Sequence, residues 1–520
     1  MRATSRLVVA LLALTLAGGA RAAPLEIGGF VGGAPGGAGG SFVEPVDVTV
    51  FDGDAADPFD DKLFVVEGAP SNSRVQRLDS DGNFELAWGR DAVRGGGDGY
   101  EVCRLAARCR TAPAGGGGGE LREPAGIAVH PATGDVYVMD AGNRRVQQFH
   151  DDGRRVRAWD VGLGAGAGAR AGGSIAIDPR PPHDVFVGDP ATDRVLRFSA
   201  RGRFARAWGW GVRDGRRRFQ ACDARERCRR GARARGGSGV RARWPGHLAV
   251  DAGGIVYASV FLGSVFEDDR ARTRIERFDG RAEADPERAG AALLHPLRAP
   301  DPYRLAFPGE PPAVLTNAAT EGLEIDPASG DLLAIGNPFG TSKLDAIHDP
   351  GAGFGKRRRP RVTVVDTLPF LQNVTGIGIA ARDGLVFLTS GALRQETGRG
   401  SFTGCSSPRA RHDCHGLIVL AAGGRAAVAQ PGPPGAGPTA WIDPGGAARY
   451  ELQVSRDGRS WRSVGQPRYA AGDGYEPISA STPAAGPRAT AYRTRVVAVA
   501  KAEAGLKASV SNLGTLLVGD

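Results

Sequence analysis

The stretch from Pro124 to Trp159 restricts the fold more than any other part of this chain. It holds four short runs rich in branched and aromatic residues, Ile127–Val129, Asp135–Met139, Arg145–Phe149 and Val156–Trp159, each bounded by Gly, Asp, Asn or Pro. Such runs, alternating and separated by turn residues, read as consecutive antiparallel strands. A four-stranded unit of this size leaves both faces of its sheet uncovered, so it demands copies of itself.

The copies are present. The first strand recurs at Pro45–Val50, Gly173–Ile177 and Pro245–Val250, and more weakly at Gly322–Ile325 and Gly376–Ile379. The second recurs at Leu63–Val66, Asp184–Val187, Ile255–Ala258, Asp331–Ile335 and Leu385–Leu388. The third recurs at Arg74–Leu78, Arg194–Phe198, Arg274–Phe278, Arg361–Val365 and Leu417–Leu420. In three units a glycine follows the third strand and a tryptophan stands six residues later: Gly82 and Trp88, Gly153 and Trp159, Gly202 and Trp208. The pattern predicts six units of four strands.

The phrase P-x-G-I-A-V-x-P-x-x-G-x-V-Y-V-x-D-x-x-N-x-R-V-Q-x-F at Pro124–Phe149 resembles an NHL repeat. The resemblance extends over residues 25–425 and is strongest in the first three units. The asparagine of the pattern is Asn72 and Asn143, with Thr192 in its place in the third unit. The resemblance implies an all-β protein, a six-bladed β-propeller.

At the N-terminus, an apolar run of eleven residues (Leu7–Ala17) follows Arg2 and Arg6 and precedes Ala20-Arg21-Ala22. This pattern reads as a signal peptide over residues 1–22, too short for a membrane span of about 20 apolar residues. The expectation is a secreted, soluble monomer without a transmembrane segment. Leu25–Val31 then precedes the first unit as an orphan strand. The sixth unit runs into Pro431-Gly432-Pro433-Pro434 after only three strands, so Leu25–Val31 is expected to complete it and close the ring. A detached N-terminal segment is the competing reading.

The propeller is expected over 23–428, followed by a Pro/Gly linker over 429–438. Beyond it, Thr439–Ile442, Arg449–Ser455, Ser460–Val464, Tyr492–Ala500 and Ala508–Leu517 read as strands. This segment, 439–520, is similar to a fibronectin type III domain, a small β-sandwich, on the strength of Tyr450–Ser455 and the alternating Tyr492–Ala500.

Six cysteines form three close pairs in sequence: Cys103 with Cys109, Cys222 with Cys228, Cys405 with Cys414. Spacing favours disulfides between neighbours, and export makes them chemically reasonable. Metal binding is the alternative at the third pair, where His412 and His415 flank Cys414. The first two pairs lie between a fourth strand and the next unit's first strand. The third lies between a second and a third strand. Both connection types emerge on one face of a propeller, as do the insertions Ser259–Thr273 and Gly336–Pro360. Loops on a rigid scaffold are where binding resides.

The stretch Trp210–Arg243 holds twelve arginines, and Lys356–Arg359 is a second basic run. Arg216, Arg217, Arg218, Arg229 and Arg230, with Trp210, Phe219 and Trp244 for stacking, make a candidate polyanion-binding loop. The competing reading is a solvated loop in an arginine-biased chain. The net charge of +9 comes almost entirely from arginine, so a basic balance alone does not indicate nucleic acid.

No G-x-S-x-G, H-E-x-x-H or phosphate loop is present. His130, His183 and His247 fall at unmatched positions of the repeat, which argues against convergence on a common axis. Asn373-Val374-Thr375 matches a glycosylation sequon beside a first strand. The sequence therefore gives no catalytic, cofactor-binding or metal-ligating residue. It points to a secreted, non-enzymatic binding or scaffold protein. The expected partner is an extracellular protein, a glycan or a cell-wall polymer, bound on the loop-bearing face. The rival is a metal-dependent lactonase- or lyase-like propeller enzyme acting in the central channel.

Overall fold

The structure, a computed structural model, describes residues 25–33, 35–53, 61–79, 82–162, 174–216, 219–231, 242–243, 245–262, 274–281, 303–305, 313–315, 320–336, 342–348, 361–368, 374–380, 385–393, 414–422, 447–455, 460–465, 490–500 and 509–518. The expected signal peptide, the interdomain linker, Arg217, Arg218, Trp244, Lys356–Arg359 and Cys405 lie outside the described residues.

The chain opens with β1 (Leu25–Gly33). The first blade is β2 (Pro45–Phe51), β3 (Lys62–Ala69), β4 (Asn72–Asp79), β5 (Phe84–Arg90) and β6 (Tyr100–Cys103). The second is β7 (Gly126–Val129), β8 (Val136–Asp140), β9 (Arg145–Phe149) and β10 (Arg155–Asp160). The third is β11 (Ile175–Ile177), β12 (Val185–Asp189), β13 (Arg194–Phe198), β14 (Phe204–Trp210) and β15 (Phe219–Asp223). A further sheet holds β16 (Ala242–Arg243), β17 (Leu248–Val250), β18 (Ile255–Leu262) and β19 (Arg274–Asp279). A hairpin of β20 (Tyr303–Leu305) and β21 (Ala313–Leu315) follows. The next blade is β22 (Thr320–Ile325), β23 (Leu332–Gly336), β24 (Ser342–His348) and β25 (Arg361–Leu368). The last is β26 (Val374–Ala380), β27 (Leu385–Leu393) and β28 (Cys414–Ala422). In the blades, successive strands pair antiparallel, so the molecule is an all-β propeller with five complete blades.

β1 supplies the outer strand of the last blade. It pairs antiparallel with β28, from Leu25 opposite Ala422 to Gly33 opposite His415. The N-terminal segment thus covers the edge that the last three strands leave unpaired. The inner strands pack in sequence: β2 on β7, β7 on β11, β11 on β17, β17 on β22, β22 on β26, and β26 back on β2. The hydrophobic cores lie between neighbouring sheets. Phe64, Val66 and Trp88 of the first blade pack with Ile127, Val138 and Phe149 of the second. Val31, Leu417 and Val419 of the last pack with Val48, Leu63 and Val65 of the first.

Two expectations need correction. Four strands per blade were expected, but the first and third blades carry a fifth, β6 and β15, on their outer edges. The short Y-E-V-C and F-Q-A-C-D runs sit inside charged, glycine-rich connections, which masked their alternation. Arg361–Val365 was expected as a third strand, but it belongs to the fourth, Arg361–Leu368. Ser342–His348 takes the third place, pairing with β23 and β25. Its S-K-L-D-A-I-H sequence has a single β-branched residue, so β-propensity did not mark it.

Beyond the propeller, β29 (Ala447–Ser455), β30 (Arg462–Gly465), β31 (Thr490–Ala500) and β32 (Ser509–Val518) form one antiparallel sheet in the order β30, β29, β31, β32.

The glycine–tryptophan spacing of the repeat is a packing device between blades. Gly82, Gly153 and Gly202 have φ of +85°, +85° and +82°, a region open mainly to glycine. A Cβ on Gly202 would stand 2.5 Å from the Trp159 ring, and one on Gly153 3.2 Å from Trp88. Each tight turn therefore presses bare backbone against the preceding blade's tryptophan. At Gly82 the neighbour is Val31 of β1 instead. Gly162 shares a positive φ of +62° but has nothing within 4 Å. Gly202→Ala is therefore expected to cost about 1–3 kcal/mol more than Gly162→Ala, because strain at positive φ is common to both and overpacking is added at one. Denaturant midpoints of the two variants measure the difference.

Candidate functional site

The loop-bearing face is built by a repeated clasp. In the first three blades a buried acid stands near the end of the second strand, and the third strand begins with an arginine two residues after an amide or hydroxyl. In the first blade these are Glu67, Asn72 and Arg74; in the second, Asp140, Asn143 and Arg145; in the third, Asp189, Thr192 and Arg194. Arg74 Nε donates to Glu67 Oε2 at 2.6 Å, and Asn72 donates to Glu67 Oε1 at 2.6 Å. Asn143 and Arg145 reach Asp140 at 2.9 and 2.7 Å. Arg194 reaches Asp189 at 3.1 Å, and the Thr192 hydroxyl also donates to Asp189.

The arginines then bind the connections. Arg74 donates to the carbonyls of Gly37 (2.6 Å), Ser41 (2.8 Å) and Arg110 (2.9 Å). Arg145 donates to those of Gly117 (2.7 Å) and Glu120 (2.8 Å). Second-to-third and blade-to-blade connections therefore meet on one face, as the repeat pattern predicted. Burial raises the carboxyl pKa values of Glu67 and Asp140, opposed in part by the Arg74 charge at the first and by the Asn143 hydrogen bond and Arg145 at the second.

Both amino-proximal cysteine pairs are disulfides, Cys103–Cys109 and Cys222–Cys228, with Cα–Cα distances of 5.6 and 5.5 Å. The bridged turns do not stand on the face. They fold back over the outer edges of the first and third blades. β6 lies along β5, and Arg104 donates to the Asp152 carbonyl in a turn of the opposite face. β15 lies along β14, and the Ala224 amide donates to the Ala205 carbonyl. The chain then climbs back, with Arg229 N–H on Val212 O and Gly231 N–H on Thr192 O, both at 2.7 Å.

Among the candidate loop residues, Trp210 and Phe219 are half-buried. Their rings pack edge to face at 6.2 Å, and Phe219 packs on Phe278 at 5.6 Å. They anchor the loop rather than offering a stacking surface. Arg216, Arg229 and Arg230 are exposed, and Arg230 donates to the Ala191 carbonyl at 2.8 Å.

The histidines do not converge. His130 and His183 contact each other across the second and third blades, with ring centroids 4.4 Å apart, at the short first-to-second turns. Burial and the neighbouring His183 hold His130 below its ordinary range. His247 opens its inner strand at the opposite end, where burial pushes its pKa down to about 4.

Two carboxylates near the axis went unnoticed in the sequence. Asp47 on β2 accepts from Ile127 N–H at 3.0 Å and Val48 N–H at 2.9 Å. Burial raises its pKa to about 7. Glu324 on β22 is raised to about 8 by burial and by the charge of Asp47. The blade between them has Gly376 on its inner strand, where a Cβ would lie 2.7 Å from Asp47 Oδ1. The signal was legible. Asp47 occupies the repeat position held by Gly126, Gly322 and Gly376, and Glu324 that of Ala128, Ala176, Ala249 and Gly378. A charge stands at each position where most other units carry a small residue, although His247 shares the position of Asp47 and Thr49 that of Glu324. Among the described residues no group of three or more His, Cys, Asp or Glu is arranged to hold a metal ion.

The NHL repeat family model matches residues 121–149, which is one repeat. No curated protein sequence matches the chain. Solved structures similar to it include a virginiamycin B lyase from Staphylococcus aureus, with a TM-score of 0.33 and 10% identity over 66% of this chain and 77% of that one. A gluconolactonase from Xanthomonas campestris has a TM-score of 0.31 and 13% identity over 69% and 82%. The WD40 repeats of RRP9 have a TM-score of 0.35 and 10% identity over 77% and 99%.

Two outcomes follow. Glu67 and Arg74 are both wholly buried, so Arg74→Met strands a charge and is expected to cost about 3–5 kcal/mol. Hydrogen exchange should show 35–41 and 110–112 loosening first. The second concerns pH. Folded pKa values above the unfolded 3.8 and 4.5 mean that the folded state holds more protons between about pH 4 and pH 8. Stability therefore falls as pH rises through that window. The Asp47→Asn, Glu324→Gln double variant should flatten this decline in denaturant midpoints measured at pH 5 and pH 8.

Proposed function

We propose that this is a secreted binding or scaffold protein whose ligand docks on the loop-bearing face and adjoining outer edge of a closed six-bladed propeller. The observation that carries the reading is the clasp. Buried acid–arginine pairs spend their remaining donors on carbonyls of the connections, which fixes those connections as a preformed surface. Edge-capping strands and disulfides extend that surface around the first and third blades.

In this reading the β16–β19 sheet is the sixth blade. Residues 1–22 are a signal peptide, 23–428 the propeller, 429–438 a linker, and 439–520 a fibronectin type III-like sandwich that extends reach. The two disulfides support an oxidising compartment. Among the described residues no helix is long and apolar enough to cross a membrane.

A second reading rests on Asp47 and Glu324. Two coupled carboxyls with raised pKa values near an axis suit proton transfer or a divalent ion, as in a hydrolase or lyase of the central channel.

Hydroxyl-radical footprinting of the mature protein separates the two, using the tightest hit from a glycan and cell-wall polymer array. Protection is expected over 91–123 and 211–231. Protection at β2 and β22, accompanied by a stoichiometric divalent ion lost in the Asp47→Asn, Glu324→Gln variant, would favour the enzyme.

A further inference from the structure

The two disulfide-bridged connections look alike in backbone but differ in charge. Between residues 91 and 123, five arginines face five acids, Asp91, Asp98, Glu101, Glu120 and Glu123. Between 211 and 231 the described acids are three, and each is taken. Asp223 meets Arg206 at 2.6 Å, Glu226 meets Arg213 at 2.9 Å, and Asp214 meets Arg216 at 3.8 Å. Arg225, Arg227 and Arg229 are exposed and meet no carboxylate among the described residues. Arg216 binds its acid loosely, and its side chain is 77% exposed.

These four cations follow one another around the bridged turn and its return to the face. The Cys222–Cys228 turn starts beside Ala205, low on β14, and returns to Val212 at the face. From Ala224 to Arg229 the chain runs five residues, a reach of at most about 18 Å. Arg225 and Arg227 sit at the turn's tip. Arg229 lies higher, its Nη1 3.0 Å from where a Cβ on Gly215 would stand, next to Arg216. The disulfide and the β15 pairing fix the backbone of this stripe before any ligand arrives. A solvated charged face needs neither.

We propose that Arg216, Arg225, Arg227 and Arg229 form a binding stripe for a linear acidic polysaccharide, one bearing carboxylates or sulfates along its length. The proposal rests on the proposed function and names its ligand class. A stripe suits a polymer better than a small anion, because its charges spread along an edge instead of converging. Single-stranded nucleic acid needs aromatic platforms, and here Trp210 and Phe219 are turned into packing. Among the described residues the one exposed large hydrophobic side chain is Leu105, on the other bridged turn.

The test measures affinities of the mature protein for heparin, polygalacturonate, neutral dextran and duplex DNA over a salt series. Heparin or polygalacturonate should bind, dextran should not, and affinity should fall steeply with salt. The Arg225→Ser, Arg227→Ser, Arg229→Ser variant should lose about ten-fold or more and show a shallower salt dependence. An Arg94→Ser, Arg108→Ser, Arg122→Ser variant, with the same charge change, should keep its affinity. Cys222→Ser, Cys228→Ser should weaken binding with the salt slope unchanged, because the charges remain but are no longer held. Circular dichroism confirms that each variant is folded. Equal losses in the two arginine variants would overturn the stripe. DNA binding tighter than either polysaccharide would overturn the ligand class. No polyanion binding, alongside another ligand footprinting on 91–123 and 211–231, would overturn this inference and leave the binding face standing. A footprint at β2 and β22 would remove both.

Discussion

The pairing of β1 with β28 is the interaction on which the rest of the architecture depends. Each blade buries its faces only against its neighbours, so an open ring would expose one blade face at each end. The last three strands of the ring lack an outer partner until the N-terminal strand arrives. β1 also brings Val31 into the core shared by the last and first blades and against the Gly82 turn. A single segment thus satisfies a sheet edge, fills a core and seats the first turn.

With the ring closed, each repeat residue has a task within or between blades. The glycine of the third-to-fourth turn meets the previous blade's tryptophan. The acid, asparagine and arginine of the motif tie the second-to-third turn to the blade-to-blade connection. Buried ion pairs of this kind are weak evidence for net stability, because desolvation offsets much of the attraction. Their effect here is geometric. Arg74 alone joins the connection before its blade, the one after it, and its own second strand. Connections held this way can carry exposed charge without collapsing onto it.

Much of this was legible in the sequence, for physical reasons that also explain what was missed. The first three units read clearly because their strands are β-branched and their turns need Gly, Asp or Asn. The strand swap onto the last blade followed from counting edges. The Cys103–Cys109 and Cys222–Cys228 bridges followed from spacing. β6 and β15 escaped because edge strands of four or five residues in charged connections carry little periodicity. β24 escaped because its single branched residue does not outweigh its polar ones. Asp47 and Glu324 escaped because a lone acid within an inner strand matches no catalytic motif. The telling feature was a carboxylate replacing a small residue in an inner strand. Trp210 and Phe219 looked like a stacking pair because sequence cannot show that Trp210 packs on Phe219 and Phe219 on Phe278.

The measurement that most directly tests the account is native-state hydrogen exchange on the chain with and without residues 25–33. If β1 closes the ring, its removal should strip protection from β28 and also from β2 and β3, which share its core, while the loop-bearing face loosens around Arg74. Faster exchange confined to β28, with β2, β3 and the Arg74 connections as protected as before, would contradict it.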